Sequence, residues 1–235
     1  MAAKKPNDPL LSTGAYTKFF LSALYDGAVL GLNFGLVWGC PARRVLLPLF
    51  AENLSQRHLD CGVGTGYFPA NALNDGPARH GHRGQMTLLD LNPNCLDKAR
   101  SAILTVAPQT QIQCVVADIR SPIPLSLQGS TFDSISMFNL YHCIPGGRSK
   151  LQAISAYKNL LSAEGVLTGS TILGAKHATG WFAPIYLRFY NCIGLFSNLE
   201  DTKEDVLNLL NSEFMEVETW LVGMVLLFRA KGPRR

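Results

Sequence analysis

The residues that could do chemistry begin with Asp60-Cys61-Gly62-Val63-Gly64-Thr65-Gly66, at the end of a short apolar run. Glycines at alternate positions let the backbone turn sharply and approach a ligand where a Cβ would clash. A helix opening at this turn would offer free N–H groups to an anion or carboxylate. The spacing is not G-x-G-x-x-G, which argues against a dinucleotide pyrophosphate. Carboxylates close the next two apolar segments. Asp90 can accept hydrogen bonds from both hydroxyls of a ribose. Asp118, beside Ile119, suits the amino group and ring face of an adenine. Asn139-Leu140-Tyr141-His142 closes a fourth segment. Each Asp taken alone is as well explained as a helix cap or a loop carboxylate. Taken in order, the four features point to a nucleoside-type cofactor.

These residues need elements to hold them. Residues 57–61, 85–91, 112–118 and 132–140 read as strands, with 166–174 as a fifth. Between them, 92–107 has helical spacing, with Leu96, Ala99, Ile103 and Val106 on one face. Residues 149–165 read as a helix ending at Gly165, and 203–214 as another. Two strands joined by a tight glycine-containing turn, 215–223 and 224–232, close the chain. Alternating strands and helices predict a parallel sheet with helices on both faces, to which the last hairpin adds an antiparallel strand. The four features then share the carboxyl ends of adjacent strands, where open α/β sheets bind ligands.

Composition narrows the partners. Hydrophobic residues make up 47% of the 235 and charged residues 16%. The core is therefore large, with apolar surface to spare for a ligand or partner. The net charge of +4 comes from scattered basic residues with no aromatic-interleaved stripe, so no nucleic acid partner is expected. Six cysteines form no C-x-x-C pair, which fits free thiols in a reducing, cytoplasmic setting better than disulfides or zinc. His80 and His82 sit in a polar loop at 74–85 without a ligand set around them, so no metal is expected. The first nine residues lack the apolar core of a secretory signal. The apolar run at 19–40 is long enough to span a bilayer, but Asp26, Asn33 and four glycines lie within it. It reads as helical lid elements over the sheet rather than a membrane contact or a span.

The pattern DxGxGxG, followed by two further acidic strand ends, resembles the class I S-adenosylmethionine-dependent methyltransferases. HLDCGVGTGYF, LLDLNPNCLDKAR, YHCIPG, GVLTGSTILG and YNCIGLFSNLEDT together resemble a group of small methyltransferases from bacteria and fungi, over residues 16–230. The resemblance implies an α/β, Rossmann-like, seven-stranded, mostly parallel sheet with one antiparallel strand, helices on both faces and an N-terminal helical lid. Residues 1–50 would form the lid and 51–235 the cofactor-binding domain. Asp60, Gly62, Gly64 and Gly66 would cradle the methionine end of S-adenosyl-L-methionine. Asp90 would hold the ribose, with Leu91 near the adenine. Asp118 and Ile119 would meet the adenine, and Asn139 would lie under the sulfonium. Tyr25, followed by Asp26, would reach over the cofactor.

The implied reaction is methyl transfer to O or N of a small, partly apolar metabolite, as in secondary metabolism. A cofactor-binding scaffold that does not methylate, or a membrane-surface enzyme acting on a lipid or quinone, are the alternatives. A hydroxyl or protonated amine acceptor benefits from a base. His142 is the candidate because it follows the fourth strand and histidine titrates near neutrality. Fixing the loop at 143–147 is the equal alternative for this residue. Tyr141 would orient it or line the pocket, and Tyr25 and Tyr16 are lid candidates. The aromatic stretch at 178–198, from Trp181 to Phe196 and with Arg188 as its strong charge, is an acceptor wall, plain core or a homodimer face.

Overall fold

A computed structural model describes residues 35–75, 84–178 and 181–235. Its seven strands are β1 (Arg57–Cys61), β2 (Gln85–Asp90), β3 (Gln111–Val116), β4 (Phe132–Phe138), β5 (Leu161–Ile172), β6 (Phe214–Val222) and β7 (Val225–Pro233). They form one sheet in the order β3-β2-β1-β4-β5-β7-β6. All pairs from β3 to β5 are parallel, and β7 runs antiparallel to both neighbours. The expected mostly parallel sheet with one antiparallel strand is what the chain builds. It starts in the middle, winds outward through β2 and β3, then returns to the other side of β1 as β4. That reversal leaves a crevice between the ends of β1 and β4.

Helices cover both faces. On one lie α1 (Leu47–Glu52), α2 (Tyr67–Asp75) and α3 (Pro93–Val106); on the other lies α4 (Gln152–Tyr157). The chain adds α5 (Phe182–Cys192) to the first face and α6 (Lys203–Glu213) to the second. α3 starts where Asn92 accepts a hydrogen bond from Asn94 N (3.0 Å) and Pro93 takes the first helical position. It buries Cys95, Leu96, Ala99 and Ile103, a helical stripe. Val106, expected on that stripe, lies at the helix end and is half exposed. α6 is capped by Thr202, whose hydroxyl accepts from Asp205 N (3.2 Å), with Glu204 and Asp205 in its first turn.

One expected boundary is wrong. The helix read over 149–165 ends at Leu160, and Leu161–Gly165 belong to β5. Leu161 is fully buried and pairs with Phe132; the register then shifts, so that Val166 pairs with Ser134. Pairing with a neighbouring strand overrides a helical spacing that continues through Leu161.

Residues 1–34, including Tyr16, Tyr25 and most of the apolar run, lie outside the described residues. The end of that run belongs to the core. Trp38 and Cys40 are buried, and the Trp38 carbonyl accepts from Met224 N (2.9 Å) at the β6–β7 turn. Trp38, Leu46 and Phe50 pack in one cluster with Phe68, Phe138 and Leu227. No helix among the described residues is long and apolar enough to cross a membrane. Phe50 is 1% exposed and meets the rings of His58, Phe68 and Phe138 at 5.4–5.8 Å. Phe50→Ala should therefore cost about 3–5 kcal/mol, read as a lower urea midpoint. A loss under about 1 kcal/mol would show that the neighbouring rings close the gap.

Candidate functional site

β1 delivers Asp60 to its carboxyl end, and the chain turns at once through Gly62, Gly64 and Gly66, all at positive φ (73°, 55° and 78°). The glycines do different work. A Cβ on Gly66 would stand 2.7 Å from Ala99 Cα, so this position allows α2 and α3 to approach. A Cβ on Gly64 would meet nothing within 4 Å, so the space before it is open to a ligand.

Asp90, at the end of β2, locks this turn. Its Oδ2 accepts from Gly64 N (3.0 Å) and its Oδ1 from Asn92 N (2.9 Å). Burial raises its pKa, while these backbone bonds pull it down. Gly62, Gly64, Asp90, Leu91, Asp118 and Ile119 line one cleft, which Asn139 joins from the end of β4. Asp60 and Gly66 do not line it. Asp60 is 4% exposed and lies beneath the cleft floor, where Ser136 Oγ donates to its Oδ1 (2.6 Å). Desolvation, followed by the neighbouring charge of Asp90, outweighs that bond and pushes Asp60 up to about 7.

Two of the cleft residues differ from simple expectation. Asp118 is held by Arg120: Nε approaches its two carboxylate oxygens at 3.0 and 3.1 Å, and Nη2 lies 2.5 Å from Oδ2. That pairing keeps Asp118 below the ordinary carboxylate range. Asn139 has φ 54°, a left-handed conformation that asparagine tolerates. Its Oδ1 accepts from Ser170 Oγ (2.9 Å), which leaves its buried Nδ2 without a hydrogen-bond partner. An amide donor in this position is an opening for a ligand oxygen.

The structure does not bring His142 or Tyr141 to the cleft. Tyr141 is fully buried, and its hydroxyl donates to Met137 Sδ (2.7 Å). His142 is 3% exposed, takes a bond from Ile172 N on Nδ1 (3.3 Å), and meets Phe196 edge-on at 4.5 Å. Burial, with Lys150 nearby, lowers its pKa to about 3. A sealed, neutral ring that already accepts a backbone bond is poorly placed to take a proton from an acceptor. The correction is physical: residues after Asn139 turn inward as a short 3₁₀ turn at Tyr141–Cys143. Instead, Cys143, Ile144 and Pro145 reach the cleft.

The aromatic stretch divides. Tyr186, Tyr190 and Phe196 pack in the cluster around Trp38, whereas Trp181 just before α5, and Ile185 and Phe189 on it, are exposed, as is Arg188. None of these residues lines the cleft. Tyr25 lies outside the described residues, as do His80 and His82. Among the described residues, no group of three His, Cys, Asp or Glu side chains could hold a metal. Sequence reasoning missed Arg120, Ser136 and Ser170. The i, i+2 spacing of Arg120 from Asp118 was a usable signal; the serines needed the strand pairing.

With the geometry in place, comparison with known proteins is informative. Residues 59–165 match a family described as a methyltransferase domain. The chain is 48% identical to "O-methyltransferase NEC2" of Pyricularia oryzae, over 94% of this chain and 92% of that one. It is 35% identical to the "Physcion biosynthesis cluster O-methyltransferase" of Aspergillus chevalieri, over 90% of each. Its fold is similar to that of N-methyltransferase NodS from Bradyrhizobium japonicum in complex with S-adenosyl-L-homocysteine. That match has a TM-score of 0.57 and 16% identity, and covers 82% of this chain and 86% of that one.

Asp60 makes a pH prediction. Its folded pKa is raised from 3.8 to about 7, so the native state holds a proton that the unfolded chain has released. Stability from this group is full below 3.8 and is lost as pH rises through about 7. In urea denaturation without ligand, the native chain should lose stability relative to Asp60→Asn across that window. Parallel curves would show that Asp60 titrates as an ordinary carboxylate.

Proposed function

Because the chain belongs to the class I S-adenosylmethionine-dependent methyltransferases, we propose that it methylates an oxygen of a small, partly apolar metabolite. The relatives support oxygen as the acceptor: two that align over at least nine-tenths of both chains are named O-methyltransferases. The observation that carries the site is the single cleft at the crevice between β1 and β4, where Asp90, Asp118 and Asn139 meet the glycine turn.

The residues present fit the cofactor. Open space before Gly64 and the unpartnered Nδ2 of Asn139 are what a bound ligand would fill. Gly62 and Gly64 take the methionine end, with Asp60 beneath as a carboxylate under a positively charged group. Asp90 accepts from the ribose hydroxyls through lone pairs that its two backbone bonds leave over. Leu91 and Ile119 would offer apolar contacts to the adenine, and Asp118, oriented by Arg120, would accept from its amino group. Asn139 would face the sulfonium through its backbone carbonyl. When bound, S-adenosylmethionine supplies an electrophilic methyl group on a sulfonium.

This chain's part is then to orient and to exclude water. Aligning two reactants can be worth about 7–11 kcal/mol without any base. Ile144 and Pro145 offer an apolar edge for the acceptor, and the acceptor's proton passes to water. His142 clamps the post-β4 turn to β5 and to Phe196 instead of serving as a base. Six thiols, none in a disulfide, support a reducing, cytoplasmic setting.

The test is incubation with methyl-labelled S-adenosylmethionine and a panel of small phenols, alcohols and amines, read by label transfer and product mass. Methylated phenols or alcohols are expected; transfer confined to amines would overturn the oxygen assignment. In calorimetric titration Asp90→Ala should weaken S-adenosylhomocysteine binding by about 10–100-fold, the worth of one or two charged hydrogen bonds. Unchanged affinity would remove Asp90 from the ribose site. His142→Gln should lower thermal stability yet keep kcat within about threefold, because general-base catalysis is worth about 10²–10⁴-fold. A loss of that larger size in a folded variant would restore His142 as a base.

A further inference from the structure

β1 and β4 carry a column of polar side chains through an otherwise apolar layer. His58 pairs with Ser134 and Asp60 with Ser136 across the two strands. Two-residue alternation puts all four on one face, and the Phe50 ring covers His58 at 5.4 Å. All four are buried. The opposite face shows that the fold does not need them: there Leu59 and Ile135 form ordinary core. Polar groups placed so deep are unfavourable unless hydrogen-bonded.

They are bonded end to end. Ser55 N donates to Ser134 Oγ (3.1 Å), and the two hydroxyls lie 2.6 Å apart. Ser134 Oγ is 2.6 Å from His58 Nδ1, and His58 Nε2 is 3.0 Å from Ser136 Oγ. Ser136 reaches Asp60 at 2.6 Å. The column therefore runs from half-buried Ser55 to a carboxylate beneath the cleft, without passing through the cleft.

Donor arithmetic allows two directions along it. When Asp60 is an anion, Ser136 donates to it and accepts from His58 Nε2–H, and Nδ1 accepts from Ser134. When Asp60 carries a proton, Asp60 donates to Ser136, Ser136 donates to bare Nε2, and Nδ1–H donates to Ser134. His58 is neutral in both, and the states differ in which ring nitrogen bears the proton.

We propose that His58 is a positioning residue for methyl transfer, relaying a proton along Ser136–His58–Ser134–Ser55 so that Asp60 becomes an anion when the cationic cofactor binds above it. The inference rests on the reading of Asp60 as the carboxylate under the methionine end. Each step moves one proton: Asp60 to Ser136, Ser136 to Nε2, Nδ1 to Ser134, Ser134 to Ser55, and Ser55 to water. One proton leaves the protein for each cofactor that binds over a protonated Asp60. The titratable groups around Asp60 are Asp90 on β2 and Cys61 and His58 on its own strand. β4 faces Asp60 with the Ser136 hydroxyl and His58 with that of Ser134, and α1 faces the column with the Phe50 ring. The raised pKa of Asp60 makes the protonated state available near neutrality.

The experiment is nitrogen NMR of the imidazole rings in the whole chain, labelled at histidine, with His58 identified by its absence in His58→Gln. Addition of S-adenosylmethionine should move the His58 proton from Nδ1 to Nε2 with the ring still neutral; a ring unchanged on saturation overturns the proposal. Affinities for S-adenosylhomocysteine and for methylthioadenosine, which lacks the ammonium-bearing end, are measured alongside. In His58→Gln and Ser136→Ala the preference for S-adenosylhomocysteine should fall about tenfold relative to the native chain. Equal weakening of both ligands would mark His58 as merely structural and sink the relay. Ser136→Ala keeps the test available if the histidine variant does not fold. Failure of the native chain to bind either ligand would instead refute the cofactor-site reading itself.

Discussion

One carboxylate holds the site together. Asp90 bonds at once to the glycine turn after β1 and to the start of the loop after β2. Those two backbone segments come from adjacent parallel strands, and Gly62 N adds a bond to the Leu89 carbonyl (2.7 Å). The turn has positive φ at three positions, where only glycine is comfortable. A charged acceptor on a rigid strand end anchors it, and it faces the cleft while doing so. The same residue therefore both shapes the cleft and lines it.

Beneath that turn the protein concentrates negative charge at low exposure. Asp60 and Asp90 end neighbouring strands, close enough for the charge of Asp90 to raise the pKa of Asp60. Two carboxylates side by side are unfavourable unless one is protonated or a cation shares the space. A sulfonium cofactor with an ammonium group is such a cation. Asp118 solves the same problem differently, by carrying its own guanidinium two residues on. Across the rim the chain offers one paired carboxylate, one bonded to backbone and one hidden under the floor. Each has a different capacity to accept a ligand.

The apolar parts serve the same arrangement. Phe50, Phe68 and Phe138 close one face of the sheet directly below the turn. On the other face, Tyr141 and Met137 do so with a hydroxyl satisfied inside the core. His142 ties β4 to β5 and Phe196, next to Cys143, Ile144 and Pro145, which line the cleft. Rigid strand ends and packed turns are what keep polar groups within the tolerance that methyl transfer demands.

Much of this was legible before any coordinates. Alternation of apolar runs with helical stripes is local, so the seven strands and the positions of Asp90, Asp118 and Asn139 at their ends could be read from residue order. The glycine spacing likewise announced a close backbone approach. What the sequence could not reveal was the direction of side chains after the strands stop. His142 and Asn139 are three residues apart, yet one is sealed in the core and the other opens to the cleft, because a single 3₁₀ turn separates them. The column from Ser55 to Asp60 was equally invisible: Ser55, His58 and Asp60 lie in or just before β1, more than seventy residues from Ser134 and Ser136 on β4. Sequence by itself determined which residues end strands and which can carry charge. The tertiary structure decided which of them meet, because pairing register and turn handedness, not spacing, set the neighbours of a buried polar group.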